Sequence, residues 1–389
     1  MPLAKTTKSR HLHRGILKPA EKYAFSIHPH DRDCRESWKV LDKITVAVEK
    51  KILHFREPFK IAYEEVETAE VILLKLSISD DIFGLGSAAP DTAVTGESVD
   101  MADKILRRKL TNDFFSLPIN NWYGYHEKIQ RVFKSFPAAQ AAVEEAFLNL
   151  WSSYREIPLA DFFGGYRKDC DIMITIGIKD EPATIKETER RLKEGFTIIK
   201  LKCGTDIDED IKKIKAVKKI LPKKARLILD ANQGYSLPEA KKLLISLKTG
   251  GISLIEQPIS AKNIGGLKEL HLMNIIPVIA DEAAVSVADA IFLLTNDYVA
   301  GVNIKLMKCG GPVNFLKIFH LAKSLNKIIM LGCMYESNVS ITTGANIALG
   351  LPVDYADLDS GHLDFCDDPA RGGAEIRRGK IRVTSPPSI

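Results

Sequence analysis

The chain has 389 residues, 45% of them hydrophobic and 27% charged, enough for a large core in one sizeable domain with a smaller companion. No apolar run approaches the roughly 18 residues of a membrane span, so no membrane partner is expected. The net charge of +5 is too small to argue for a nucleic-acid partner, and none is expected.

Residues 1–40 read as a basic, poorly ordered tail. Lys5, Lys8, Arg10, Arg14 and Lys18 precede the first acid, Glu21, and no apolar segment among them marks a secretory signal. The pairs His11/His13 and His28/His30 lie in a stretch without periodicity and are read as exposed polar residues rather than metal ligands. The six cysteines, at 34, 170, 203, 309, 333 and 366, are widely spaced and form no CxxC. That pattern suits reduced thiols in a cytoplasmic protein rather than a disulfide framework or a zinc site.

Residues 41–165 read as a small α+β domain. KITVAVEKKILHF and VILLKLSIS suggest an antiparallel strand pair, joined by a loop carrying Glu64, Glu65, Glu67 and Glu70. A glycine-rich GLGSAAP follows, then a helix capped by Ser98. The alanine-rich PAAQAAVEEAFLNLWSSYREIP is the strongest helix, with Pro137 near its start. Strands first and helices after fit an α+β layer.

From Asp171 the texture becomes a regular alternation. DIMITIGI, TIIKLK, RLILDAN, ISLIEQP, PVIADE, AGVNIKL, KIIMLGC and YADLD are short β-branched runs separated by amphipathic charged segments. Eight successive strand–helix units predict a (β/α)8-type barrel over residues 166–360. Polar residues close the strands at intervals of 28, 26, 25 and 24 positions, from Lys202 through Asp230, Glu256 and Asp281 to Lys305. In such a barrel these C-terminal strand ends converge on one mouth, where active sites lie.

Lys200 and Lys202 flank Leu201 in TIIKLKCG and share one face of their strand. Like charge and burial both disfavour the ammonium form, so at least one of the two is expected to have a depressed pKa and to serve as a general base. Asp230, Glu256 and Asp281 end three consecutive strands, and carboxylates so crowded need a cation. An all-oxygen set favours a hard ion, Mg2+ first and Mn2+ or Ca2+ next. Lys202 and Lys305 close the second and sixth strands and so stand opposite each other across the ring. Bases on opposite faces of one carbon suit removal of a proton from one side and its return on the other.

Lys200-x-Lys202, LILDANQGY, LIEQP, IADE and NIKLMKCGG together resemble the enolase superfamily, in its muconate lactonizing enzyme subgroup, from about Lys43 to the C-terminus. The resemblance implies Lys202 and Lys305 as the acid/base pair, with Lys200 tuning its neighbour and meeting the substrate carboxylate. It implies Asp230, Glu256 and Asp281 as ligands of one Mg2+ per subunit, and an enediolate intermediate. It also implies an α+β capping domain completed by residues 361–389, and a homo-oligomer.

Within that subgroup the last strand is informative. It ends DLDS, placing Asp357 and Asp359 on one face as a receptor for a cation. This D-x-D is similar to the element by which dipeptide epimerases hold the substrate's α-ammonium. VTGES (94–98), GCMYES (332–337, with Cys333) and Thr175 at the end of the first barrel strand also resemble that family. The expected activity is therefore epimerisation of a dipeptide at the α-carbon of its C-terminal residue. Ala-Glu epimerases carry an arginine near the position of Glu64, whereas this chain reads AYEEVETAE there. A basic or hydrophobic side chain on the second residue is expected rather than glutamate. Two alternatives stay open: another reaction of the subgroup (o-succinylbenzoate synthase, N-acylamino acid racemase or cycloisomerase), or a non-catalytic ligand-binding barrel.

Overall fold

The computed structural model describes residues 44–62, 64–249 and 251–389, so the basic tail, its histidine pairs and Cys34 lie outside the described residues. Strands β1 (Thr45–Lys60), β2 (Glu65–Ser77) and β3 (Phe83–Ala88) form an antiparallel sheet in that order. Pairing of β1 with β2 runs from Thr45↔Ser77 to Lys60↔Glu65, with a register shift between His54 and Phe59. This corrects the expected acidic loop: Glu65, Glu67 and Glu70 lie on β2, and of the four only Glu64 belongs to the turn. The three strand acids are exposed; Glu65 and Glu67 share one face of β2, and Glu70 lies on the other, 3.2 Å from the Lys50 ammonium.

The glycine-rich run has a packing reason. A Cβ on Gly84 would come within 2.1 Å of the Ala146 carbonyl, and one on Gly86 within 2.0 Å of the Ala142 carbonyl, both on the helix Pro137–Arg155. Glycine on β3 and alanine on the helix thus let the two backbones close on each other. Ser98 caps its helix as expected, accepting the Met101 N–H. The long helix starts where the buried Glu97 carboxylate accepts the Ala138 and Ala139 N–H groups at 2.7 and 3.1 Å.

After the short β4 (Cys170–Asp171) come eight parallel strands: β5 (Met173–Ile176), β6 (Ile198–Lys202), β7 (Arg226–Asp230), β8 (Leu254–Glu256), β9 (Val278–Ala280), β10 (Gly301–Lys305), β11 (Ile328–Gly332) and β12 (Tyr355–Asp357). Each lies beside the next, in an almost closed barrel. At the seam, Asp359 just past β12 accepts the Thr175 N–H of β5 at 2.6 Å. Met173, Ile198, Ile228, Leu254, Ile279 and Met330 form a buried inner layer. Five of the six precede a polar residue by two positions (Met330 precedes Gly332), so the period-2 geometry puts an apolar plug below a polar rim.

The remaining chain first meets β1, where the Arg56 N–H donates to the Asp364 carbonyl and the Cys366 N–H to the His54 carbonyl. Strands β13 (Ala374–Arg377) and β14 (Lys380–Val383) then form a sheet with β4. Cys170, Cys203, Cys309, Cys333 and Cys366 are all free thiols. Among the described residues, no helix is long and apolar enough to cross a membrane.

Candidate active site

Strand register brings the expected residues into layers. Lys202 pairs with Asp230 and Asp230 with Glu256, while Lys305 pairs with Gly332 and Gly332 with Asp357. Asp281 follows β9 directly, and Thr175 lies beside Lys200. Lys202 on β6 and Lys305 on β10 are separated by three strands in the sheet order, which places them across the ring from each other.

The buried Lys200 ammonium lies 2.6 Å from Asp357 Oδ2, 3.0 Å from Asp230 Oδ2 and 2.8 Å from Glu256 Oε2. Lys202 Nζ donates to Asp230 Oδ2 at 2.7 Å and to Asn232 Oδ1 at 2.8 Å. Lys305 Nζ is 2.9 Å from Asp281 Oδ2. Of the pair in which at least one depressed lysine is expected, Lys200 is shifted the other way. Burial works against the Lys200 charge, but Asp230, Asp357 and Glu256 outweigh it and hold the group well above the ordinary lysine range. Lys305 is likewise raised, with burial outweighed by Asp281 and Glu256. The sequence places Lys200 beside one like charge; only the closed ring supplies three opposite ones.

Among the described residues, no three carboxylate, imidazole or thiolate groups are gathered closely enough to hold a metal ion as they stand, and the Lys200 ammonium bridges Asp230 and Glu256. The donor set nevertheless fits a hard divalent cation, because the three carboxylates share one arrangement. Each has one oxygen fixed by a donor from the scaffold: Asp230 Oδ1 by the Asn232 N–H, Glu256 Oε1 by Asn303 Nδ2, and Asp281 Oδ1 by Lys308 Nζ. Each turns its other oxygen toward the lysines of the mouth, and Glu256 Oε2 is buried with no hydrogen bond among the described residues, 2.8 Å from the Lys200 ammonium. Three carboxylate oxygens on neighbouring strands, each turned to the mouth, are the donor chemistry such an ion takes.

On the far side, Asp357 Oδ2 is engaged by Lys200, whereas its Oδ1 is buried with no donor among the described residues. Burial, then the neighbouring Asp357, pushes the Asp359 carboxyl up. Over the mouth is a cavity of about 490 Å3, bounded below by the lysines and above by the cap. Its cap-side wall includes Phe59, Glu64, Glu70, Asp91 and Val94, and no basic residue among those described. The Tyr335 hydroxyl donates to Glu64 Oε1 at 3.3 Å. Burial, then the nearby Asp91, raises the Glu64 carboxyl. Cys333 and Asp281 also line the cavity, so every expected site residue except Asp230 and Glu256 has a place on its wall.

Asp91, Asn232, Lys308 and Tyr335 carry no role in the sequence reading. Asn232, Lys308 and Tyr335 sit inside the quoted motifs LILDANQGY, NIKLMKCGG and GCMYES, so their positions were visible although their partners were not. Asp91, in AAPDT, has no motif around it and reaches the cavity only because the cap folds over the barrel. VTGES divides: Val94 lines the cavity, while Glu97 serves the helix Pro137–Arg155.

Residues 43–164 match the family described as mandelate racemase / muconate lactonizing enzyme, N-terminal domain, and residues 183–387 that described as enolase C-terminal domain-like. The chain is 32% identical over 346 residues to the L-Lys-D/L-Arg epimerase of Desulforapulum autotrophicum, covering 88% of this chain and 97% of that one. The substrate-liganded L-Ala-D/L-Glu epimerase of Bacillus subtilis superposes with a TM-score of 0.84 at 28% identity, covering 89% and 97% of the two chains. The dipeptide epimerase of Methylococcus capsulatus, in complex with Mg and the dipeptide L-Arg-D-Lys, gives a TM-score of 0.82 at 29% identity, covering 89% and 98%.

Proposed function

The chain belongs to the mandelate racemase / muconate lactonizing enzyme family of the enolase superfamily, and on that premise we propose that it is a Mg2+-dependent dipeptide epimerase acting at the α-carbon of the C-terminal residue. The observation that carries this reading is the opposed pair of ammonium groups, Lys202 on β6 and Lys305 on β10, above a floor of carboxylates. One lysine, as the free amine, takes the α-proton, and the other, as the ammonium, delivers a proton to the opposite face. Lys200 meets the substrate carboxylate. Asp230, Glu256 and Asp281 would hold the ion, which supplies positive charge where the carboxylate gains negative charge. Asp357 and Asp359 hold the dipeptide's α-ammonium, with Thr175 fixing Asp359; the donorless Asp357 Oδ1 supports this. Incubation in D2O tests the scheme: each molecule of new epimer carries deuterium at the C-terminal α-carbon. An epimer formed with its original proton retained removes the two-base mechanism.

The second residue's side chain is basic in this reading, with a hydrophobic side chain next in preference. Glu64 and Asp91 on a cap wall without basic residues support it, since a glutamate side chain there would meet like charge. A panel of L,L-dipeptides measures it. Ala-Glu turning over better than X-Lys and X-Arg would sink the preference while leaving the epimerase reading intact.

A further inference from the structure

Lys308 is a fourth lysine at this site and takes no part in the chemistry above. It sits on the four-residue helix Leu306–Cys309 that follows β10, and it is 2% exposed. Its ammonium donates to the Asp281 carbonyl at 2.7 Å, to Asp281 Oδ1, and to the Asn303 carbonyl at 3.1 Å. An ammonium has three hydrogens, and these three acceptors use them all. Lys308 therefore has nothing left to exchange with a substrate. Asn303, on β10, reaches across β9 to donate from Nδ2 to Glu256 Oε1 on β8 at 2.7 Å. Gly332 on β11 leaves the space for it, because a Cβ there would stand 2.4 Å from Asn303 Oδ1.

The two residues form one brace. Lys308 holds the Asp281 side chain and the Asn303 backbone, and Asn303 holds Glu256, so two of the three carboxylates are fixed relative to each other from behind. The brace is anchored in turn on the cap, where Gln140 of the helix Pro137–Arg155 donates to the Gly310 carbonyl just past Lys308. We infer that Lys308 and Asn303 are positioning residues that hold Asp281 and Glu256 in the arrangement that accepts the divalent cation. This rests on the ion site proposed above. Partners behind metal ligands, when lost, weaken ion binding by about 10–100-fold.

The sign of the effect separates this from simple electrostatics. Removing a positive charge beside a cation site, with geometry unchanged, tightens cation binding. Removing a brace loosens it. The test is calorimetric titration of MgCl2 into the metal-stripped full-length protein, with no dipeptide present, for wild type, Lys308→Met and Asn303→Ala. Leu243→Ala, at a buried apolar position of the helix Leu237–Leu247 that can make no polar contact with the carboxylates, is the control for general loss of stability. The expected result is a Mg2+ Kd raised about 10–100-fold in Lys308→Met and about 10-fold in the charge-neutral Asn303→Ala. Leu243→Ala lowers Tm and leaves Kd unchanged. If Lys308→Met fails to fold, Asn303→Ala alone decides. A Kd within twofold of wild type in a folded variant, or a tighter one in Lys308→Met, overturns the brace alone. Absence of Mg2+ binding to wild type overturns the brace together with the ion site beneath it.

Discussion

The floor and the roof of the cavity are built on opposite plans. On the floor, Lys200, Asp230, Glu256 and Asp281 are almost wholly buried, sit at the ends of parallel strands and each have at least two polar partners within 3.1 Å. On the roof, Glu64 is half-buried, belongs to a turn, and among the described residues its carboxylate accepts one hydrogen bond, of 3.3 Å, from Tyr335. Groups that move protons must keep their geometry within fractions of an ångström, so they stand on rigid elements. Groups that choose a side chain can sit on loops, where exchange costs the fold little. In the function proposed above, the comparison makes reaction and selectivity separately adjustable.

Substitutions on the floor give the largest effects. Lys202→Ala and Lys305→Ala each lower epimerisation by about 10^2–10^4-fold, measured by kcat, and one of them retains deuterium exchange of a single epimer. Full activity in either variant would break the distinction at its root. At the floor's edge, Asp359→Asn weakens the charge-assisted grip on the ammonium by about 1.5–3 kcal/mol, read as a rise in KM for a dipeptide. An N-acyl substrate, with no ammonium, is unaffected, so an equal rise for both substrates would remove Asp359 from its assigned role. On the roof, Glu64→Arg shifts kcat/KM toward X-Glu and away from X-Lys by about 10-fold with kcat little changed. A collapse of kcat there would show that floor and roof are not separable.

The smallest effect lies outside both. Burial pushes Glu97 up to about 7 against two backbone N–H bonds that pull it down. A carboxyl raised in the folded state contributes stability that is full below its unfolded value, near 4.5, and is lost as pH rises through about 7. Glu97→Gln keeps an acceptor for the helix and has no proton to lose. It flattens that decline by on the order of 1 kcal/mol, measured by denaturant titration at pH 5 and pH 8. An unchanged slope would mean that Glu97 stays charged throughout.

The same division governs what was legible in the sequence. The barrel was readable because each strand is a short apolar run closed by a polar residue, and the two-residue period that puts Ile228 below Asp230 is carried by the chain itself. The opposition of Lys202 and Lys305 followed from counting strands. What depends on contact between distant segments was not readable. One of the three carboxylates that hold the charge on Lys200 is Asp357, 157 positions away, and Asp91 meets the cavity only through the cap. The four-glutamate loop failed for a local reason: β2 begins at Glu65 and takes three of the acids into the strand, where all three stay exposed.

The bond from the Thr175 N–H to Asp359 at the barrel seam has a dynamic consequence. In this reading the carboxylate that fastens the last strand to the first is also one that grips the ligand. Breathing of the barrel at that seam and escape of the ligand are then one motion. A bound dipeptide should slow amide hydrogen exchange along β5 and β12 more than along β8. A looser seam would shorten residence time before it lowered the melting temperature.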